Sequence, residues 1–289
     1  MAGIFGSKTK TQNISKTQDK PEHVTSPETA EISQSHLVFS AANSVGSVRS
    51  HNEDSLFCTS FYTVDLHGMQ EVGLFAIADG MGGHMSGEIA SSAAIRTSTD
   101  YLIRHLANNL GVHDLVGNSD RLNSLVNEAF MQSQEEVLKV APGGGTTLTI
   151  ALIINNQVYF GHVGDSRLYR VNKSQQMHCM TSDHSLVRRL YELGQISLDE
   201  ISDHPQKNVL IRALGQTDGF KVDQGQFLLN SGDRLLLCSD GLWVLVPDQQ
   251  IYMMTLTAGM FSEACRLMVK SANDAGGQDN ISVILVEYQ

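Results

Sequence analysis

The sequence predicts a mixed α+β fold, and three observations carry that prediction. Short β-like runs of apolar and β-branched residues recur from Leu37 onward. Two long segments instead repeat apolar residues at helical spacing. Several of the β-like runs end in turns that set an Asp beside Gly or Asn.

The elements follow in order. Residues 1 to about 35 hold ten Ser or Thr, four Lys against four Asp or Glu, and almost no large apolar side chain after Phe5. Such a segment cannot bury enough surface to fold, so a disordered tail is expected, serving as a tether, a phosphosite carrier or a passive extension. Strands are expected around Leu37–Ser44, Leu56–Thr63 and Gly73–Ala78, the last leading into Asp79-Gly80-Met81-Gly82-Gly83. Residues 87–107 read as an amphipathic helix with Ser86 as N-cap and Glu88 in the first turn. Ser119–Val140 reads as a second helix, placing Leu122, Leu125, Val126, Ala129 and Phe130 on one face. After Pro142-Gly143-Gly144-Gly145, Thr146–Ile154 and Gln157–Val163 form a hairpin turned at Asn155-Asn156. Residues 181–218 are polar and punctuated, with a helical piece near Leu186–Leu193; that length suggests a functional flap, or else a static surface excursion. Phe227–Asn230 and Arg234–Cys238 read as strands before Ser239-Asp240-Gly241, Ser262–Ala272 as a helix, and Ile281–Val286 as a closing strand after Gln278-Asp279-Asn280.

Composition excludes several function classes. Hydrophobic residues at 41% and charged ones at 18% describe an ordinary globular chain. The formal charge of −11 lies outside the balanced tail, and it repels both nucleic acid phosphates and anionic membranes. No run approaches the roughly 20 apolar residues of a membrane span, and no signal-peptide core is seen. Ala2 stands where N-myristoylation needs Gly. Cys58, Cys179, Cys238 and Cys265 are scattered without zinc-ligand spacing, which reads as four reduced thiols and a cytoplasmic location.

The acidic turns carry the chemistry. Asp79, Asp240 and Asp279 each end or begin an apolar β run, so hydrophobic strands deliver carboxylates to one rim. Gathered carboxylates repel unless protons or cations neutralise them, and all-oxygen donors suit hard ions such as Mg²⁺ or Mn²⁺. Any one of these Asp residues could instead be a turn former or helix cap. Arg49, just before His51-Asn52-Glu53-Asp54, has a guanidinium suited to bidentate phosphate binding, or to a surface ion pair.

Six ordered motifs then resemble one family. Gly46-Ser47-Val48-Arg49-Ser50-His51-Asn52-Glu53-Asp54, Asp79-Gly80-Met81-Gly82-Gly83-His84, Gly145-Thr146-Thr147, Gly164-Asp165-Ser166-Arg167, Ser239-Asp240-Gly241-Leu242-Trp243 and Asp279-Asn280 are similar to the motifs of type 2C metal-dependent serine/threonine protein phosphatases, the bacterial branch above all. The resemblance spans about residues 36–289, which it implies form one catalytic domain. It implies an α+β four-layer α/β/β/α sandwich, a central antiparallel β-sandwich with a metal cleft at one end. Two Mn²⁺ or Mg²⁺ ions are implied, with Asp79 shared between them and the Gly80 carbonyl, Asp240 and Asp279 completing the protein ligands. Glu53 and Asp54 would ligate or orient metal-bound waters, Asp165 would help hold a third, weaker ion, and Arg49 would grip the substrate phosphate.

A metal-activated water is then the nucleophile, and no cysteine is needed. Many eukaryotic relatives carry His where this chain has Met81, and a thioether cannot donate a proton. A metal-bound water or another histidine must serve: His84 is near in sequence, though also a candidate cap, followed by His51, His162 and His184. Phosphorylated Ser/Thr proteins are the expected substrates, an opposing Ser/Thr kinase an expected partner, and a monomer the expected state. A catalytically weak phosphoprotein-binding sensor or scaffold is the alternative, and a small-molecule phosphatase or phosphodiesterase with the same metals a third.

Overall fold

The computed structural model describes residues 1–3, 36–65, 68–82, 86–108, 115, 117–174, 176–201, 203–217, 220–256 and 261–289. Residues 4–35 of the expected disordered tail, with Gly83 and His84, lie outside the described residues. The chain divides into Met1–Glu31 and Ile32–Gln289, and every element below belongs to the second unit.

In chain order the elements are β1 (Leu37–Ser44), β2 (Asp54–Asp65), β3 (Gly68–Met81), α1 (Ser86–Asn108), α2 (Ser119–Val140), β4 (Gly145–Thr146), β5 (Leu148–Ile154) and β6 (Gln157–Val163). There follow β7 (Arg167–Val171), β8 (Met177–Cys179), α3 (Leu186–Glu192), β9 (Asp223–Leu228), β10 (Arg234–Cys238), α4 (Asp240–Trp243), α5 (Asp248–Thr255), α6 (Phe261–Asp274) and β11 (Ile281–Tyr288).

The strands form two antiparallel sheets, one ordered β1-β11-β10-β7-β8 and the other β2-β3-β5-β6-β9, with β4 paired to β3. Side-chain alternation shows why these strands read as continuous apolar runs: both faces are buried. On β3, Phe75 and Ile77 point into a layer shared with Leu235, Leu237, Ile284 and Val286 of the other sheet. The intervening Leu74, Ala76 and Ala78 pack instead with Ala90, Ala94, Leu102, Leu122, Val126 and Phe130 of α1 and α2. On the opposite outer face, Leu236, Cys238, Val283 and Leu285 pack with Ile251 of α5 and Ala264, Cys265 and Met268 of α6. Helix, sheet, sheet, helix is thus the layering, as expected.

The differences from expectation are local. Ser86 is the first residue of α1 rather than its cap. The hairpin arm expected from Thr146 is broken: Gly145–Thr146 pairs with Gly80 and Met81, and β5 begins only at Leu148. Thr147 interrupts because its N–H donates to the Asp79 carbonyl at 2.9 Å. The strand expected at Phe227–Asn230 runs Asp223–Leu228, where Gln224, Gly225 and Gln226 alternate against β6. β7, β8, α4 and α5 were not anticipated.

Candidate metal and phosphate centre

The site is built where both sheets end. Asp54 opens β2 and pairs in register with Asp79 near the end of β3. From the other sheet, β10 ends at Cys238 and delivers Asp240 at the start of α4, while Asp279 sits just before β11. Two glycines allow the close approach: a Cβ at Gly80 would strike the carbonyl oxygens of Gly87 and Glu53, and one at Gly241 would strike that of Asn280.

Neutral side chains lock the frame. The Asp79 N–H donates to Thr147 Oγ1 at 2.8 Å, and the Thr146 hydroxyl donates to the Asp79 carbonyl at 2.9 Å. Thr147 Oγ1 in turn meets Ser166 Oγ at 2.7 Å, tying in the Gly164–Arg167 turn. Ser239 Oγ donates to Asp54 Oδ2 at 2.8 Å. Asn280 staples the loop before β2 to the closing strand: its Oδ1 accepts from the Glu53 N–H at 2.7 Å, and its Nδ2 donates to the carbonyls of Val45 at 2.8 Å and His51 at 3.0 Å. Sequence reading placed Thr147, Ser166, Ser239 and Asn280 inside motifs without giving them these roles.

Burial and mutual repulsion raise the carboxyls of the cluster. Burial first, then the charges of Asp240 and Asp279, pushes the Asp54 carboxyl up to about 7, despite the opposing hydroxyls of Ser282 and Ser239. Burial first, then Asp279, pushes Asp240 up to about 6. Asp79 is held well above the usual carboxylate range by burial and then by Asp54, Asp240, Asp165 and Asp279. Asp165 is likewise held well above it, by burial and then Asp240 and Asp183. Two buried oxygens, Asp54 Oδ1 and Asp240 Oδ1, have no hydrogen-bond partner.

These residues fit hard cations. The donors are all oxygen, they repel one another, and two of them lack any other partner. Among the described residues no three His, Cys, Asp or Glu side chains stand in a preformed cage. Asp279 Oδ2 accepts from Arg49 Nη2 at 2.7 Å. The structure therefore brings together Asp54, Asp79, Asp165, Asp240 and Asp279, with Glu53 and the half-exposed Arg49 at the edge.

The histidines separate clearly. His51 Nε2 lies 3.3 Å from Glu53 Oε1, at the cluster. His162 is fully buried, its Nδ1 2.9 Å from Thr149 Oγ1 and its Nε2 3.2 Å from the Ser182 carbonyl. His184 accepts from the Gly164 N–H at 3.0 Å and lies 2.9 Å from Asp223 Oδ2. Both are committed to holding the 181–214 segment against the body. Burial pushes the thiols of Cys58 and Cys265 up to about 12 and about 11, so neither is poised as a nucleophile.

This arrangement meets its counterpart among known proteins: residues 40–190 match the protein phosphatase 2C family. The chain belongs to the protein phosphatase 2C family. It is a metal-dependent serine/threonine protein phosphatase by that membership. The serine/threonine phosphatase stp of Listeria innocua is 33% identical over 250 residues, covering 84% of this chain and 92% of that protein. Protein phosphatase PhpP of Streptococcus pneumoniae is 35% identical over 263 residues, covering 86% and 97%. Among solved structures, the catalytic domain of the serine/threonine protein phosphatase PstP in complex with two manganese ions superposes with a TM-score of 0.70 at 28% identity, covering 87% of this chain and 97% of that one. The acidic end of this 2C phosphatase is thus the place to seek its chemistry, and its α+β sandwich is the family's fold.

Proposed function

We propose that Asp79, Asp240, Asp279 and the Gly80 carbonyl hold two Mn²⁺ or Mg²⁺ ions with which the chain removes phosphate from phosphoserine and phosphothreonine in proteins. The observation that carries this reading is the set of buried, mutually repelling carboxylates with two unpartnered oxygens. When bound, such ions supply a water activated at neutral pH and a clamp on phosphoryl oxygens. Glu53 and Asp54 orient the water ligands, and Asp165 helps hold a third, weaker ion. Arg49, already at the cluster through Asp279, binds the phosphoryl group and complements its negative charge. Residues 36–289 form the catalytic domain, with residues 181–218 as its flap. A cytoplasmic monomer opposing a Ser/Thr kinase is the setting. Among the described residues no helix is long and apolar enough to cross a membrane.

The sensor or scaffold reading loses ground because degenerate binders lack metal carboxylates, and all of them are present here. Phosphate release from a phosphothreonine peptide tests the choice. It should require Mn²⁺ or Mg²⁺, resist thiol alkylation, and disappear in chelator and in a folded Asp79→Ala protein. Full activity in chelator, or in Asp79→Ala, would overturn the metal assignment.

A further inference from the structure

A cavity of about 270 Å³ opens beside the acidic cluster, between the 181–214 segment and α4. Its inner wall includes Asp165 and Asp240, so it is continuous with the proposed metal centre. Its sides are apolar, with Val187, Leu198 and Ile201 on one jaw and Trp243 and Val244 on the other. Leu198 and Val244 are 60% and 46% exposed, so both jaws leave apolar surface at the opening. Scattered single apolar residues on a surface carry no message, but two that face one cavity beside a reaction centre do.

The charged groups at the back of the cavity are already satisfied. Arg167 donates to both Asp183 oxygens, at 2.9 and 2.7 Å, and to the Tyr169 hydroxyl at 2.9 Å. Its guanidinium stacks 3.5 Å over Trp243, whose Nε1 donates to the Asp165 carbonyl at 3.0 Å. That wall is stiff and asks for no further polar ligand. At the rim, Arg188 is paired with Glu192 at 3.4 Å, so the apolar jaws carry the selectivity. An extended peptide advances about 3.3–3.6 Å per residue, so a neighbour within three positions of the phosphorylated residue reaches the cavity.

We propose that this cavity selects protein substrates with a large apolar side chain within three residues of the phosphorylated Ser or Thr. The inference rests on the phosphatase reading above. Its test compares phosphothreonine peptides that differ only in carrying Leu or Gly at each position from −3 to +3, assayed by kcat/KM with Mn²⁺. At one position, Leu should exceed Gly by at least about tenfold, the usual scale of discrimination by an apolar pocket. Leu198→Glu and Val244→Glu, both at exposed positions, should each bring that ratio to within about twofold of one, acting mainly through KM. A Leu-to-Gly ratio near one at every position in the wild type would overturn the proposal. So would variants that keep the ratio while losing activity on both peptides alike. Failure of the phosphatase reading looks different: no peptide, and no p-nitrophenyl phosphate, would be hydrolysed at all.

Discussion

Replacing Asp240 by Asn should stabilise the metal-free protein at neutral pH while removing its activity. Asp240 has a folded-state pKa of about 6 against an ordinary 3.8, first because it is buried and then because Asp279 is near. A raised carboxyl pKa means stability that is present below pH 3.8 and lost as pH rises through about 6. At pH 7.5 the ionised side chain therefore destabilises the metal-free fold. At 1.36 kcal/mol per pKa unit the ceiling is about 3 kcal/mol, the attraction to Arg49 being already contained in it, and about 1–3 kcal/mol is expected. Asn keeps the shape and can still accept from the Gly241 N–H. For a domain of this size each kcal/mol moves Tm by about 2–4 °C, so Asn should raise Tm by about 2–12 °C in chelator at pH 7.5. Near pH 4 the difference should shrink, because the carboxyl is then protonated in the folded state. With Mn²⁺ the order should reverse, since only the wild type gains the full binding free energy. Calorimetry in chelator at both pH values reads this directly. A lower Tm for Asp240→Asn in chelator at pH 7.5 would refute the reasoning, as would an equal gain at both pH values.

Asn280→Ala should cost about 2–4 kcal/mol, because it strands the Glu53 N–H and the carbonyls of Val45 and His51; urea midpoints would show this, with kcat/KM falling as well. A midpoint unchanged within error would mean that the staple is dispensable. His162 gives a pH dependence of opposite sign to the carboxylates. Burial, then His184, lowers its folded pKa to about 3 from 6.5, so its contribution is present above pH 6.5 and is lost as pH falls toward 3, at up to about 1.4 kcal/mol per pH unit. His162→Gln should remove a contribution that rises with pH, so the slope of urea stability between pH 4.5 and 7 should shift toward the carboxylates' sign by up to about 1.4 kcal/mol per pH unit, and an unaltered slope would exclude this histidine as a source.

The elements legible in the sequence are those whose periodicity is decided locally. Leu122, Leu125, Val126, Ala129 and Phe130 announce α2, and Ile281–Val286 announces most of β11, because packing only completes a pattern already present. β7 was hidden because Arg167 and Arg170 look like loop residues until Asp183 and Asp233 are seen to neutralise them. β9 was misplaced because its Gln224, Gly225 and Gln226 carry no apolar alternation, and pairing with β6 decides it. At the site, Asp79, Asp240 and Asp279 are legible as acidic turns at strand ends, whereas Asp54 and Asp165 come only with the family resemblance. The neutral framework is not legible: Ser239 reaches Asp54 across 185 positions of chain, and Asn280 reaches Glu53 across 227, so no local pattern reveals either bond.

Those two bonds also explain why the centre belongs to the whole sandwich. Glu53, Asp54 and Asp79 come from one sheet, and Ser239, Asp240, Asp279 and Asn280 from the other. The distance between the two carboxylate sets is therefore fixed by the layer in which Phe75 and Ile77 meet Leu235, Leu237 and Ile284. Close-packed interiors transmit small volume changes rather than absorbing them. A truncation or overpacking in that layer acts on the acidic centre through the separation of the sheets, with no change to any site residue. Ser239 and Asn280 oppose such drift because each spans the seam with a short hydrogen bond. The sheets are held together by apolar burial, which is indifferent to the charge gathered at their edge, so the seam sets the spacing of the carboxylates whatever their charge.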